Sequence, residues 1–162
     1  KEMLEKCRAA HIHTAIDTSG AVTGDFAEIL ELTDLLLLDI KHTEPKTYKI
    51  ITGQSIERYR DFKRQLKMHP VDLWIRAVIV PGIHDSMDYI QELWEEVKTL
   101  PRVRKIELLP YHTLGVSKYR KLQIKYPLEG VSAMDKNQVR LWQEQLNQIL
   151  MTESKAERAG SS

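Results

Sequence analysis

The chain has 162 residues, 42% of them hydrophobic, which is enough to bury one core and corresponds to a single domain of ordinary size. Lysine and arginine number 24 against 23 aspartates and glutamates, so the net charge provides no field that attracts nucleic acid or an anionic membrane. The one cysteine, Cys7, excludes an internal disulfide and cannot by itself hold a zinc ion or an iron-sulfur cluster.

The ends of the chain suggest a piece of a longer protein. Lys1 stands where a start methionine is usual, and Met3, Leu4 and Cys7 already have helical spacing, so we expect the chain to begin inside a helix. The start lacks the apolar core of a signal peptide, and no apolar run approaches the roughly 20 residues of a membrane helix. We therefore expect a cytoplasmic protein with no membrane or nucleic-acid partner. Residues 1–152 are predicted to form a single domain, and 153–162 a disordered tail.

After the opening helix, hydrophobic patterning predicts four strands that alternate with helices. The predicted strands are 11–17, 35–38, 73–80 and 105–109. The predicted helices are 24–32, 55–68, one that begins after Asp85 and Ser86, and 135–150. Segment 43–52 is compatible with either a helix or a loop, and 115–130 is predicted as a loop. Alternating strands and helices indicate an α/β fold with a parallel sheet, which four strands are too few to close into a barrel.

Each predicted strand ends in, or carries near its end, a polar or ionisable residue. These residues are Asp17 and Thr18, Asp39 and Lys41, Arg76, and His112. Because ligands of parallel α/β sheets gather beyond the carboxyl ends of the strands, we expect these groups to surround one polar ligand. Carboxylates at such a rim suit hydroxyl or ammonium groups, or a bound cation.

Each of these residues also has a purely structural interpretation. Asp17 and Thr18 are compatible with an ordinary turn that opens the next helix. Asp39 and Lys41, two residues apart, point the same way and could form an ion pair at the rim. Arg76 lies inside an apolar strand, either paired with a core carboxylate or in contact with a ligand, and we favour the ligand. His112 taken alone is more commonly a loop residue bonded to backbone.

Four sequence blocks together resemble one enzyme family. The blocks are His13–Gly20, Thr33–Lys41, Trp74–Gly82, and Lys105–His112 with Leu114–Gly115. They resemble the pyruvate formate-lyase activating enzymes, of the glycyl-radical-activating group of radical S-adenosylmethionine enzymes. The resemblance extends from Met3 to about Leu150.

The resemblance implies a partial (β/α) barrel with about four parallel strands flanked by helices. It also implies a parent enzyme that cleaves S-adenosylmethionine at a 4Fe-4S cluster and generates a glycyl radical on pyruvate formate-lyase. Residues that match cofactor contacts are Asp17, Asp39, Lys41 and His112. Residues that match a monovalent-cation site are Asp17, Thr18, Leu37 through its carbonyl, and Asp39. Arg76 matches a position near the substrate peptide.

One departure from the family is large, because neither the three-cysteine cluster motif CxxxCxxC nor the GGE segment is present. We therefore expect a C-terminal fragment that is inactive alone, with no catalytic residue of its own, no cluster, and at best weak affinity for S-adenosylmethionine. The strand at 12–16 would lack a neighbour, which favours dimerisation through that edge. Two alternatives stay open: an activase of another glycyl radical enzyme, and a non-catalytic protein-binding module of barrel origin.

Overall fold

A computed structural model describes the backbone of residues 1–160 and the side chains of residues 1–152. The strands are β1 (Ala15–Thr18), β2 (Leu35–Asp39), β3 (Asp72–Ile79) and β4 (Val103–Pro110). The helices are α1 (Glu2–Ala9), α2 (Ala27–Glu31), α3 (Pro45–Thr52), α4 (Glu57–Met68), α5 (Met87–Lys98), α6 (Val116–Lys121) and α7 (Lys136–Gly160), with a short 3-10 helix at Thr113–Gly115. The strands form one parallel sheet in the order β1-β2-β3-β4, which confirms the predicted α/β fold.

The chain divides into two compact units. The first contains Lys1–Ala77 and Gln91–Glu107, and the second contains Val78–Ile90 and Leu108–Ser162. The expectation of a single domain for 1–152 stays a prediction. The predicted tail, 153–162, lies outside the residues whose side chains are described, and that expectation also stays a prediction.

Two segments form helices that the sequence pattern left open or predicted as loop. Helix α3 begins after Glu44, whose carboxylate accepts hydrogen bonds from the backbone N–H groups of Lys46 at 2.9 Å and Thr47 at 2.7 Å. These bonds lower the pKa of Glu44 to about 2. The helix ends at Thr52 and is capped by Gly53, whose φ of 70° is the left-handed conformation that glycine adopts readily. Helix α6 occupies part of the segment predicted as a loop, 115–130.

Strand β1 begins later than predicted. The amide of Ile12 donates to the carbonyl of Cys7 at 2.9 Å, and His11 has a φ of 55°, so this segment closes the end of α1 instead of extending a strand. β1 is an edge of the sheet. Dimerisation through this edge stays a prediction.

The two faces of the sheet in the first unit differ in burial. Strand residues that alternate along β2 and β3 point to opposite faces. The buried face carries side chains that are at most 1% exposed: Leu36, Leu38, Leu73, Ile75 and Ala77. The open face carries Asp17, Leu35, Leu37, Asp39, Trp74 and Arg76, of which Asp17 is exposed and the others are half-buried. The four leucines at 35–38 form one continuous apolar run, but only one face of this strand is fully covered within residues 1–152.

Gly20 fixes the turn that follows β1. Its φ of 66° is left-handed, and a Cβ at this position would lie 2.9 Å from Cδ1 of Phe62 and 3.3 Å from Cδ2 of Tyr59. Both aromatic residues belong to α4 and are buried in the core of the first unit. A side chain is therefore excluded here both by backbone conformation and by packing.

Across residues 1–160, each helix is too short or too polar to cross a membrane.

Candidate functional site

Three of the predicted rim residues, together with Arg76, form one cluster at the carboxyl ends of β1 and β2. The sheet register pairs Asp17 with Leu37 and Asp39 with Arg76. Since paired residues of parallel strands point to the same face, the side chains of Asp17, Asp39 and Arg76 all project from the open face. Lys41 follows β2 by two residues and joins them. We call Asp17, Asp39, Lys41 and Arg76 the rim cluster.

The guanidinium of Arg76 bridges the two carboxylates of the rim cluster. Its Nε donates to Oδ1 of Asp39 at 2.8 Å, and an Nη donates to Oδ1 of Asp17 at 2.6 Å. The ammonium of Lys41 donates to the other oxygen of Asp39 at 3.1 Å. Asp39 is thus held on both oxygens by cations, whereas Asp17 is held on one.

Exposure separates the members of the cluster. The side chains of Arg76 and Asp39 are 20% and 22% exposed, whereas that of Asp17 is 61% exposed. Burial lowers the pKa of Arg76, but the hydrogen bonds with Asp17 and Asp39 outweigh it and raise the pKa overall. The pair of Arg76 and Asp39 is therefore the more buried of the two, and Asp17 is the carboxylate more accessible to a ligand.

Two of the structural interpretations made from the sequence are found in the structure. Lys41 and Asp39 form the ion pair that their spacing allowed, and Arg76 pairs with carboxylates. However, the carboxylates that hold Arg76 are those proposed to hold a ligand. The cluster contains two negative and two positive groups, so its formal charges cancel. A cationic ligand group that binds Asp17 or Asp39 has to compete with Arg76.

Thr18 and His112 do not take part in the hydrogen bonds of the rim cluster. The hydroxyl of Thr18 accepts a hydrogen bond from the backbone N–H of Gly20 at 3.0 Å, and alternation directs its side chain away from the open face. His112 belongs to the second unit, where it is exposed and lines a cavity of about 510 Å³ with Tyr111 and Lys136. Its ring makes no hydrogen bond within residues 1–152.

Two further residues of the open face, Trp74 and Lys105, were not singled out from the sequence as members of a site. The ammonium of Lys105 lies 3.8 Å from the centroid of the Trp74 ring, and it also pairs with Glu107 at 3.1 Å. The indole Nε1 of Trp74 is buried and has no hydrogen-bond partner among the described residues. The spacing of Trp74 and Arg76, two residues apart in one strand, was the signal that both face the same way.

Within residues 1–152, no group of three His, Cys, Asp or Glu side chains is arranged as a metal site would require.

Comparison with known proteins identifies the relatives of this chain. It is 44% identical over 149 residues to a pyruvate formate-lyase-activating enzyme from Clostridium pasteurianum, an alignment that covers 92% of this chain and 63% of the relative. It is 39% identical over 160 residues to the enzyme of the same name from Listeria monocytogenes, covering 94% of this chain and 63% of the relative. This chain is a homologue of the pyruvate formate-lyase-activating enzymes. No protein-family model matches it.

The fold of this homologue of the activating enzymes also has solved counterparts. A crystal structure of a domain of pyruvate-formate lyase-activating enzyme from Bacteroides vulgatus matches with a TM-score of 0.67 at 22% identity, covering 93% of this chain and 83% of that one. A radical SAM methyltransferase from Sphaerobacter thermophilus matches with a TM-score of 0.56 at 11% identity, covering 85% and 39%. At these identities the matches show a shared fold and carry no further conclusion about this chain. The chain spans 63% of the length of the two curated relatives described above.

Proposed function

We propose that this chain is part of a radical S-adenosylmethionine activase that generates a glycyl radical on pyruvate formate-lyase. The observation that carries the proposal is the 44% identity, along 92% of the chain, to a relative that bears the name of this activase. The rim cluster supports it, because three of the four residues that match cofactor contacts, Asp17, Asp39 and Lys41, lie at the carboxyl ends of β1 and β2, where ligands of α/β proteins bind.

The rim cluster suits the polar parts of S-adenosylmethionine. Lys41 is the group for the ligand's carboxylate, because its side chain is 37% exposed and carries a positive charge at the rim, beside Asp39. The exposed Asp17 is the group for an amino or hydroxyl donor. His112, on the second unit, is proposed as a further cofactor contact. The cofactor supplies the radical chemistry when it is bound and reduced, and the residues of this chain hold and orient it.

The proposed monovalent-cation site has to accommodate Arg76. The carboxylates of Asp17 and Asp39 and the carbonyl of Leu37 are oxygen ligands of the kind that hard cations prefer. Because the hydroxyl of Thr18 is bonded to Gly20, we propose that Thr18 contributes its backbone carbonyl. The guanidinium already occupies the position between the two carboxylates, so a cation binds there only when Arg76 swings out. Arg76 is then free to contact the substrate peptide.

The residues of this chain do not fit a 4Fe-4S cluster. Such a cluster with an open iron site requires three thiolates, and Cys7 is the one cysteine in the sequence. We propose that these 162 residues alone do not activate pyruvate formate-lyase. Iron and sulfide analysis after anaerobic reconstitution is the check, and a stoichiometric cluster would contradict the proposal.

A chimera tests the proposed function itself. The part of the Clostridium pasteurianum relative that this chain does not match is joined to it, and the glycyl radical on pyruvate formate-lyase is measured by electron paramagnetic resonance. We expect a glycyl radical signal from the chimera and its loss in the Asp39→Asn variant. The matched control is Asp61→Asn, because Asp61 is an exposed aspartate of α4. A chimera that folds and carries a cluster but gives no radical, or equal signals from both variants, would refute the assignment.

A further inference from the structure

A groove in the second unit is the feature that neither the fold nor the proposed reaction explains. It lies in the segment between β4 and α7 and has a volume of about 620 Å³. Its apolar lining includes Val116, Tyr119, Ile124, Tyr126 and Leu128. We call it the 113–131 groove. No member of the rim cluster lines it.

The walls of the 113–131 groove are fixed by contacts between aromatic side chains. The rings of Tyr119 and Tyr126 pack edge to face, with centroids 4.9 Å apart. The hydroxyl of Tyr126 lies 2.8 Å from that of Tyr111, which follows β4 directly. This hydrogen bond, with a contribution from burial, raises the pKa of Tyr126 to about 12. The groove is therefore a preformed surface, which lowers the entropic cost of binding.

Backbone hydrogen bonds close the segment on itself. The amide of Ile124 donates to the carbonyl of Tyr119 at 3.0 Å, and that of Val131 donates to the carbonyl of Leu128 at 3.1 Å. Ile124 is nevertheless 55% exposed, and the nearby Leu114 and Leu122 are 79% and 68% exposed. Ile124 lines the groove, and Leu114 and Leu122 belong to the same chain segment; exposed apolar side chains of this kind commonly mark an interaction surface.

Charge determines which partner fits this surface. Segment 113–131 contains four basic residues, Lys118, Arg120, Lys121 and Lys125, and one acidic residue, Glu129. All five are exposed, and none of the four basic side chains forms an ion pair or a hydrogen bond within residues 1–152. In the first unit, by contrast, Lys63 pairs with Glu96 and Arg102 with Asp72, each at 2.6 Å. The excess positive charge at the groove is thus available to a partner.

We propose that the 113–131 groove binds an acidic segment of a partner protein that inserts a large apolar side chain. Arg120 and Lys125, which line the groove, pair with the acidic residues, and the wall formed by Ile124 and Leu128 receives the apolar one. A nucleic acid fits less well, because Tyr119 and Tyr126 are packed against each other and the chain as a whole has a formal charge of only +1. The inference does not depend on the proposed radical reaction.

Fluorescence anisotropy with a labelled peptide of alternating glutamate and leucine tests this inference on the 162-residue chain. We expect saturable binding that weakens with added salt and is absent for a glutamine-leucine peptide. The double variant Arg120→Glu/Lys125→Glu is expected to weaken binding by about tenfold or more. Ile124→Ser is expected to weaken it by about threefold, through loss of the apolar contact.

A matched control removes the effect of net charge. The double variant Lys49→Glu/Arg58→Glu changes the charge by the same amount at exposed positions in the first unit and should leave binding unchanged. The charge-swapped pair, a lysine-leucine peptide with Arg120→Glu/Lys125→Glu, should recover binding. Equal losses in the two double variants, no recovery on charge swapping, or tighter binding of a single-stranded oligonucleotide than of the acidic peptide would overturn the inference. Thermal unfolding confirms that each variant is folded.

Discussion

Along β2, neighbouring residues belong to two surfaces with different physical requirements. Leu36 and Leu38 are at most 1% exposed, whereas Leu37 and Asp39 point to the open face and are half-buried. The buried face gains its stability from apolar packing. The open face carries the rim cluster, whose ion pairs cost desolvation and return little net stability. The same strand thus contributes stability through one set of residues and binding chemistry through the other.

The largest expected effect comes from truncating the buried face. Leu38→Ala should lower the free energy of unfolding by about 2–5 kcal/mol, because it leaves a cavity in a region that packs tightly. Leu37→Ala in the same strand is the matched control, and its expected cost is about 1 kcal/mol because its neighbours on the open face are fewer. Urea denaturation measures both. Equal losses of unfolding free energy in the two variants would show that the buried face is not packed more tightly than the open face.

The next effect concerns the rim cluster. Arg76→Met leaves two neighbouring carboxylates with Lys41 as their remaining cation, and we expect a loss of about 1–2 kcal/mol. A double-mutant cycle should find coupling of about 1 kcal/mol between Arg76 and Asp39, and less than about half of that between Arg76 and the exposed Asp17. If the coupling to Asp17 equalled the coupling to Asp39, exposure would not set the strength of these pairs.

A smaller effect is expected beside the rim cluster, where Lys105 lies over the ring of Trp74. Lys105→Met should cost about 0.5–1 kcal/mol, because it removes the cation from the aromatic face at a partly exposed site. Lys105→Arg retains the cation and should retain most of the stability. A loss as large in the arginine variant as in the methionine variant would rule out the cation–π contact as the cause.

The smallest effect tests a cap on the helix that follows the rim. The pKa of Glu44 is lowered from 4.5 to about 2 by hydrogen bonds to Lys46 and Thr47, so its contribution is present above pH 4.5 and is lost as pH falls toward 2. Glu44→Gln keeps an acceptor oxygen without the charge. Stability of this variant should therefore fall less between roughly pH 6 and pH 3 than that of the wild type. If the stability of the two proteins depended on pH in the same way, the charge of the Glu44 carboxylate would not stabilise the helix.

Much of the fold was predictable because its signals are local. Strand β2 occupies Leu35–Asp39 and β3 occupies Asp72–Ile79, each within a residue of the apolar run that predicted it. The start of β1 was wrong because the left-handed turn at His11 depends on the carbonyl of Cys7, a contact that patterning does not reveal. Helix α6 was missed because four of its six residues are polar or charged and none is buried, so the segment shows no apolar period.

The residues of the candidate site could be grouped from the sequence, but the hydrogen bonds that connect them could not. Strand ends in a parallel sheet meet at one edge, which is why Asp17, Asp39 and Lys41 could be grouped from sequence. The bridge from Arg76 to Asp17 spans 59 positions in the chain, and it depends on the register of three strands. Spacing within one strand cannot fix that register. The basic 113–131 groove was overlooked because its charges are balanced by acids elsewhere when the whole chain is counted.

The glycine after β1 has a consequence for how this binding edge can change. The side chain of Asp17 can be exchanged without disturbing the aromatic residues of α4, because it is 61% exposed to solvent. The turn that follows β1 has no such freedom, since any side chain at Gly20 would collide with Phe62. Variants selected for a new ligand should therefore change side chains and leave the backbone of this turn unchanged. Gly20→Ala, in contrast, should displace Asp17 although it replaces no charged residue.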